Sequence, residues 1–333
     1  MTSRLFVLLA AVLSLCAGCS DAGRNRDVRI IKMDGSSTVF PIAEAVAEEF
    51  MLQHERVRVT VGLSGTGGGF KKLCRGEIDV TNASRPILAE EMEHCRTAGV
   101  QYIELPIAFD AITLVVNPSN GWVESLTLDD LKKMWGPAAQ GRIKYWNQVR
   151  PEWPQQPLML FGPGADSGTF DYFTEAINGK AKSSRGDYTA SEDDNVLVQG
   201  VENNKNALGY FGFAYYSAHR ERMKAVAIER PDGSAVLPTR ETVLSGQYQP
   251  LSRPLFIYVN AASAQRPEVR QFVEFYLTQG GALAEEVGFI SLPESASALA
   301  RKHFADGRVG TVFGGVPEVG VTIEHILERE ATL

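Results

Sequence analysis

The sequence predicts an α/β protein of two lobes, and three observations carry that expectation. Four short apolar runs each lead into a turn of small, hydroxyl-bearing residues and then into a stretch of helical periodicity, the repeating unit of an α/β sheet. Two β-rich runs, residues 111–117 and 255–260, share their character, both end in Asn and lie about 140 residues apart, as strands crossing between lobes would. The chain has 333 residues, 44% of them hydrophobic, enough for two domains with cores of their own or one large one.

The first segment stands apart from the fold. Arg4 precedes an apolar core at residues 5–15, too short to span a bilayer, and Ala17-Gly18 lead to Cys19. This is a secretory signal. Its small-small-Cys ending resembles the lipobox of bacterial lipoproteins, with Cys16 where Leu is usual, so Cys19 is the expected lipidation site. Residues 20–27 would be a tether. The formal charge of −7 argues against a nucleic-acid binder, which would show a basic patch or stripe, but not against a site for a small anion. Beyond the signal only Cys74 and Cys95 remain. In an oxidising compartment they are expected to pair; the alternative is two buried thiols, since Cys95 shares an apolar helix face with Leu88 and Met92.

Residues 28–31 are strand-like and run into Asp34-Gly-Ser-Ser-Thr-Val-Phe-Pro41, followed by a helix carrying Ile42, Val46 and Phe50 on one face. Pro41 suits a first helical turn. Val57, Val59 and Val61 alternate toward Ser64-Gly-Thr-Gly-Gly-Gly69 and a short helix with Phe70 and Leu73. That glycine run is neither a dinucleotide fingerprint nor a P-loop. Ile78-Asp-Val80 leads to Thr81-Asn-Ala-Ser-Arg-Pro86 and a helix over about 88–98. Arg85 at that turn could fork onto an oxyanion. The fourth unit runs from the apolar residues 158–161 through Gly162-Pro-Gly-Ala-Asp-Ser-Gly-Thr169 into a helix with Phe170, Phe173 and Ile177, stopped by Asn178-Gly179. A first turn rich in Ser, Thr and Gly offers unpaired N–H groups, hydroxyls and close main-chain approach, which together seat an anion. In an α/β sheet such turns lie together at the carboxyl ends of the strands.

The remaining pattern fills the lobes. Thr127-x-x-Asp130 caps a helix; Trp135, Trp146 and Trp153 read as core; residues 183–195 read as an exposed polar loop or helix end. Residues 208–216 read as an aromatic-rich strand whose tyrosines pack. Helices are expected over 267–278 and 321–330.

Asp34-Gly-Ser-Ser-Thr-Val-Phe-Pro41, Ser64-Gly-Thr-Gly-Gly-Gly-Phe70, Ala83-Ser-Arg-Pro86 and Ala165-Asp-Ser-Gly-Thr169 resemble the periplasmic phosphate-binding proteins of ABC transporters, the PstS family. Trp135-Gly-Pro-Ala-Ala-Gln-Gly141, Trp146-Asn147 and Ala207-Leu-Gly-Tyr-Phe-Gly-Phe-Ala-Tyr-Tyr216 extend the resemblance over nearly the whole mature chain. It implies a two-lobed type II periplasmic-binding-protein fold with two crossover hinge strands and the ligand in the interlobe cleft. Lobe 1 would comprise 28–113 plus 258–333 and lobe 2 residues 114–257. It further implies a monomeric binding protein, not an enzyme, that holds inorganic phosphate without a cofactor and hands it to membrane permease subunits.

The sequence also departs from that family. The best-known members place Asp where Arg85 stands and an arginine just before the Asp-Gly-Ser-Gly-Thr turn, where this chain has Gly162-Pro163-Gly164. The expectation is therefore that Arg85 supplies the positive charge and that Asp110 or Asp166 accepts the phosphate proton. Around them, Ser37, Thr38, Ser64, Thr66, Ser167 and Thr169 would donate hydroxyls, and Val39, Phe40 and Gly168 backbone N–H groups. Rival readings are the same fold holding sulfate, molybdate or arsenate, a repurposed sensor or adhesin, and a serine hydrolase built on Ser167. The last has Ser in the wrong slot for a Gly-x-Ser-x-Gly elbow and no histidine in a recognisable setting. No His/Cys/carboxylate spacing suggests a metal site.

Overall fold

The computed structural model describes residues 28–165, 167–191, 193–316 and 320–330. The signal with Cys19, the tether and Asp166 lie outside them.

The chain opens with three strand–helix units: β1 (Arg29–Gly35) and α1 (Phe40–Gln53), β2 (Val57–Val61) and α2 (Gly65–Cys74), β3 (Val80–Ala83) and α3 (Ala89–Thr97). A long strand, β4 (Tyr102–Val116), then carries the chain into the second lobe. That lobe holds β5 (Ser125–Leu126), α4 (Leu128–Trp135), β6 (Met159–Pro163), α5 (Gly168–Asn178), β7 (Thr189–Ser191), α6 (Asp194–Glu202), β8 (Ala207–Gly212) and α7 (Phe213–His219). It ends in the short β9 (Lys224–Ala225), β10 (Ala227–Glu229), β11 (Ala235–Val236) and α8 (Arg240–Leu244). The return strand β12 (Ser252–Asn260) leads back to α9 (Pro267–Glu286), β13 (Ile290–Ser291), α10 (Glu294–Asp306) and α11 (Ile323–Glu330).

One sheet runs through both lobes in the order β2-β1-β3-β12-β4-β8-β6-β7. The β1–β2, β1–β3, β6–β7 and β6–β8 pairs are parallel, as crossovers through helices require. β12 is antiparallel to both β3 and β4. All fifteen residues of β4 are buried. As far as Ala111 they ladder with β12, and from Ile112 onward with β8. The expected lobe boundaries at 113/114 and 257/258 thus fall inside β4 and β12, and β12 pairs with first-lobe strands from Ser252 on.

The cores lie on the two faces of this sheet. Val39 and, from α1, Ile42, Val46 and Phe50 pack with Phe272, Val273 and Tyr276 of α9 on one face. On the other, Trp135, Trp146, Phe173 and Tyr210 form the second-lobe centre, with Trp135 edge-on to Phe173 and Tyr210. Cys74 at the end of α2 is disulfide-bonded to Cys95 in α3, tying the two helices together. α4 begins as expected, Thr127 and Asp130 capping each other reciprocally.

Three local expectations are corrected. The aromatic run 208–216 is a strand only to Gly212, after which it turns into α7. In the segment 183–195, Arg185 is only 5% exposed and donates to the carbonyls of Met134 and Ile143, because those helix-end and loop carbonyls need a donor there. α9 continues through Gly280-Gly281 to Glu286, although the pair reads as a stop. A Cβ on Gly280 would come within 2.9 Å of the Tyr276 ring one turn earlier in the same helix, whereas Val46 of α1 lies at an ordinary 3.7 Å, so the glycine leaves room for the Tyr276 ring.

Candidate functional site

The turns that follow β1, β2, β3 and β6 meet in one cleft of about 960 Å³. Its floor is made by the crossing strands β4 and β12, which contribute Asp110 and Arg253.

The β1 turn is shaped by Gly35, at φ +138°, where a Cβ would fall 2.2 Å from the Asn82 carbonyl oxygen. The Ser36 amide donates to that same carbonyl at 3.0 Å. Ser37 and Thr38 then face the cleft. The Phe40 amide is already bonded to the Ser36 carbonyl, and Val39 is fully buried and absent from the cleft lining. Beneath this turn the Asp34 carboxylate accepts from the Gly35 amide at 2.7 Å, from Ser64 Oγ at 2.6 Å and from Lys72 Nζ. Burial would raise its pKa, but Lys72 and Ser64 outweigh burial and hold it below the ordinary value. Ser64 therefore lines the cleft with its proton committed inward. Thr66 shares a hydrogen bond with Ser84 Oγ at 3.2 Å and accepts from the Ser84 amide. These two residues brace neighbouring turns against each other.

From the second lobe, α5 points its first turn at the same place. Ser167 caps the helix by accepting from the Thr169 amide. A Cβ on Gly168 would meet Ser84 Oγ at 2.7 Å, Thr38 Oγ1 at 3.3 Å and Ser36 Oγ at 3.7 Å. Three first-lobe hydroxyls thus crowd the start of a second-lobe helix, whose exposed N–H groups and dipole favour an anion.

At the centre sits a cation that local sequence reading missed. Arg253 is 1% exposed, beside Asp110 across the β12–β4 ladder, and its Nη2 lies 3.0 Å from Asp110 Oδ2. The same guanidinium donates to the Gly168 carbonyl at 2.7 Å, to Thr38 Oγ1 at 3.1 Å and to Thr169 Oγ1 at 3.3 Å, and lies 5.1 Å from the centroid of the Tyr172 ring. It touches both lobes and the crossing strand at once. Among the described residues, one Nη1 N–H is left over. Asp110 is equally buried. Burial pushes its carboxyl up, while Arg253 and the nearby Ala111 and Phe213 amides pull it down, and burial prevails. Its Oδ1 and Ser36 Oγ are both buried without a hydrogen-bond partner of ordinary geometry. A buried polar atom left this way calls for an explanation, and Asp110 lines the cleft.

Arg85 lies nearer the mouth. Its guanidinium forks onto Glu91 at 2.8 and 2.9 Å and donates to the Pro86 carbonyl. Burial opposes its charge, but the Glu91 carboxylate overcomes this and raises its pKa. The Nε–H and one Nη2 N–H remain.

Of the residues singled out from sequence, Ser37, Thr38, Ser64, Thr66, Arg85, Asp110, Ser167, Gly168 and Thr169 line this single cleft. Val39 lies behind it, the Phe40 amide is occupied, and Asp166 lies outside the described residues. No histidine is among the residues lining it, so Ser167 has no imidazole beside it there. Arg253 was legible only as an arginine next to Pro254 at the head of a run that carries no other charge through Asn260.

A family model described as a PBP superfamily domain matches residues 20–279. Protein SphX of Synechococcus elongatus is 51% identical over 97% of this chain and 94% of its own length. The phosphate-binding protein PstS of Staphylococcus saprophyticus is 38% identical over 85% of this chain and 86% of its own. A crystal structure of a possible phosphate-binding protein from Planctomyces limnophilus superposes with a TM-score of 0.71 at 50% identity, covering 84% of this chain and 98% of that one. The two lobes, the crossing strands and these relatives agree: the chain belongs to the PBP superfamily and, within it, to the PstS family of phosphate-binding proteins.

Proposed function

We propose that the cleft captures inorganic phosphate and that the protein delivers it to an ABC-type importer. One observation carries this reading: a buried Arg253–Asp110 pair whose Asp110 Oδ1 has no hydrogen-bond partner of ordinary geometry among the described residues, set against the open first turn of α5. The free Nη1 N–H of Arg253, the Gly168 amide and the hydroxyls of Ser36, Ser37, Thr38 and Thr169 donate to phosphate oxygens. Asp110 accepts the proton of HPO₄²⁻; Asp166, placed by sequence beside Ser167, is the other candidate acceptor. Sulfate at neutral pH brings no proton, so the same carboxylate opposes it. Ser64 and Thr66 hold the turns in place, and Arg85 adds positive potential at the mouth. Binding in the micromolar range needs about −8 kcal/mol. A few hydrogen bonds to charged groups, at about 1.5–3 kcal/mol each, supply it.

The same reading makes the protein a carrier and not a catalyst. It is a monomer held at the cell envelope by a lipid on Cys19, with lobes divided near 113/114 and 257/258. Mass spectrometry of the membrane-extracted protein checks the lipid: an unmodified Cys19 or a soluble mature chain would remove that part. Titration calorimetry with phosphate, arsenate, sulfate and molybdate tests the ligand. Phosphate should bind at least 100-fold more tightly than sulfate, a difference of about 2.7 kcal/mol. Asp110→Asn should collapse that preference. Equal affinity for the two anions in the wild type, or phosphoester turnover lost in Ser167→Ala, would overturn the proposal.

A further inference from the structure

The outer walls of the cleft carry charges that the phosphate seat does not use, and they are sorted by lobe. The titratable side chains on the first-lobe wall are Lys71 and Arg85, both cationic. On the facing wall, α5 and its surroundings present Asp171, Glu175 and Asp194, with Lys182 lying 3.9 Å from Asp171. Acidic groups at the mouth of an anion site oppose ligand entry, so their placement calls for a role other than recognition.

Glu175 is the sharpest case. It is half-buried on α5, and its carboxylate makes no hydrogen bond or ion pair among the described residues. Burial pushes its pKa up, the Arg85 charge pulls it down, and Asp171 adds to the rise. Arg85, for its part, is held to its own lobe by Glu91 on one side of the guanidinium only, leaving the Nε–H and one Nη2 N–H. A half-buried carboxylate without a partner among the described residues and a guanidinium with unused donors therefore line one cleft from opposite lobes, further apart than the 4.0 Å of an ion pair but near enough for each charge to act on the other.

We propose that Glu175 is a positioning residue for closure: it pairs with Arg85 across the cleft mouth and draws the lobes together behind the bound anion. Arg85 stays anchored to Glu91 and offers its remaining donors, so the pair forms without dismantling the first-lobe turn. Glu175 touches no ligand. It acts through Arg85, and its carboxylate strengthens phosphate retention although both carry negative charge. This inference rests on the phosphate-binding reading above.

The sign of one substitution separates it from the simpler account. If Glu175 merely repelled the anion, Glu175→Gln would tighten phosphate binding. If it latches the lobes, Glu175→Gln should weaken binding about threefold to tenfold, mostly through faster release, and Glu175→Asp should recover part of the loss. Arg85→Met and Glu175→Gln should also be non-additive, the double variant binding no more weakly than Arg85→Met alone. Tighter or unchanged binding in Glu175→Gln, or an additive double variant, overturns the latch. The phosphate reading is checked separately by the wild-type titration. X-ray scattering of the ligand-free proteins reports on the latch without phosphate. Glu175→Gln should be more extended than wild type at low salt and converge with it at 1 M salt, where the screening length is about 3 Å. Identical scattering at low salt overturns the latch whatever the titration gives.

Discussion

Which arginine anchors the anion can be decided by replacing each in turn. Arg253→Met removes the group that bonds Asp110, Thr38, Thr169 and the Gly168 carbonyl, while keeping an unbranched side chain in the space. Asp110 would then be a buried carboxyl with no counter-charge. Removing one member of a buried pair costs about 3–5 kcal/mol of stability. Losing the hydrogen bond from the remaining Nη1 N–H costs binding at least about 1.5–3 kcal/mol, a factor of roughly 10–10² in Kd. Arg253→Lys guards against misfolding, since it retains a positive charge for Asp110. Its single ammonium cannot reproduce a fork that reaches both lobes, so binding should weaken about 10- to 100-fold with little loss of melting temperature. Arg85→Met, at a side chain 27% exposed and tied to Glu91, should weaken binding by no more than about tenfold. Calorimetric titration with phosphate, paired with thermal melts of each variant, reads all three. If Arg85→Met abolishes binding while Arg253→Lys binds like wild type, the central cation is Arg85 and the account of the cleft floor fails.

Other expected outcomes follow from the same geometry. Gly168→Ala should weaken phosphate binding at least 100-fold in calorimetry while leaving the melting temperature nearly unchanged. The new methyl meets Ser84 Oγ at 2.7 Å, yet alanine favours a helical position by about 1 kcal/mol. Replacing Cys74 and Cys95 by Ser should cost about 3 kcal/mol in urea unfolding, from the loop of 21 positions, with phosphate affinity retained because neither residue lines the cleft. Glu104, fully buried with Tyr258, Thr311 and the Val312 amide donating to it, has its pKa pushed by burial from 4.5 to about 7. A carboxyl raised in the folded state holds its proton where the unfolded chain has released it. Stability should therefore fall as pH rises from about 4.5 to about 7, by roughly 3 kcal/mol. Glu104→Gln should flatten that slope in unfolding curves across the same range; an unchanged slope would place the titration elsewhere.

The strand–turn–helix units and their cleft-facing turns were readable because each is written in consecutive residues: a β-branched run, small turn residues, then helical spacing. The reach of α9 past Gly280 was not, because what carries the helix on is burial against α1, more than 200 positions earlier. Arg85 drew notice by standing in a recognisable turn. Arg253 escaped because its meaning comes entirely from Asp110, 143 positions away, and from a strand register that no local pattern specifies. Ser64 and Thr66 illustrate the converse limit. Sequence singles them out and both line the cleft, but only their neighbours Asp34 and Ser84 reveal where their hydrogen bonds already go.

The position of β12 has a consequence for how the chain must be assembled. It is inserted between β3 and β4, so the edges of both strands stay open until residues 252–260 arrive. The second lobe suffers no such delay, since β4 finds β8, and β8 finds β6, within the intervening stretch. A chain emerging amino-terminus first would complete its later-numbered lobe before its earlier one. Unpaired strand edges invite aggregation, so the vulnerable species is a half-built first lobe waiting for its last strand. Substitutions that slow the arrival of β12 should lower yield well before they lower the stability of the finished protein.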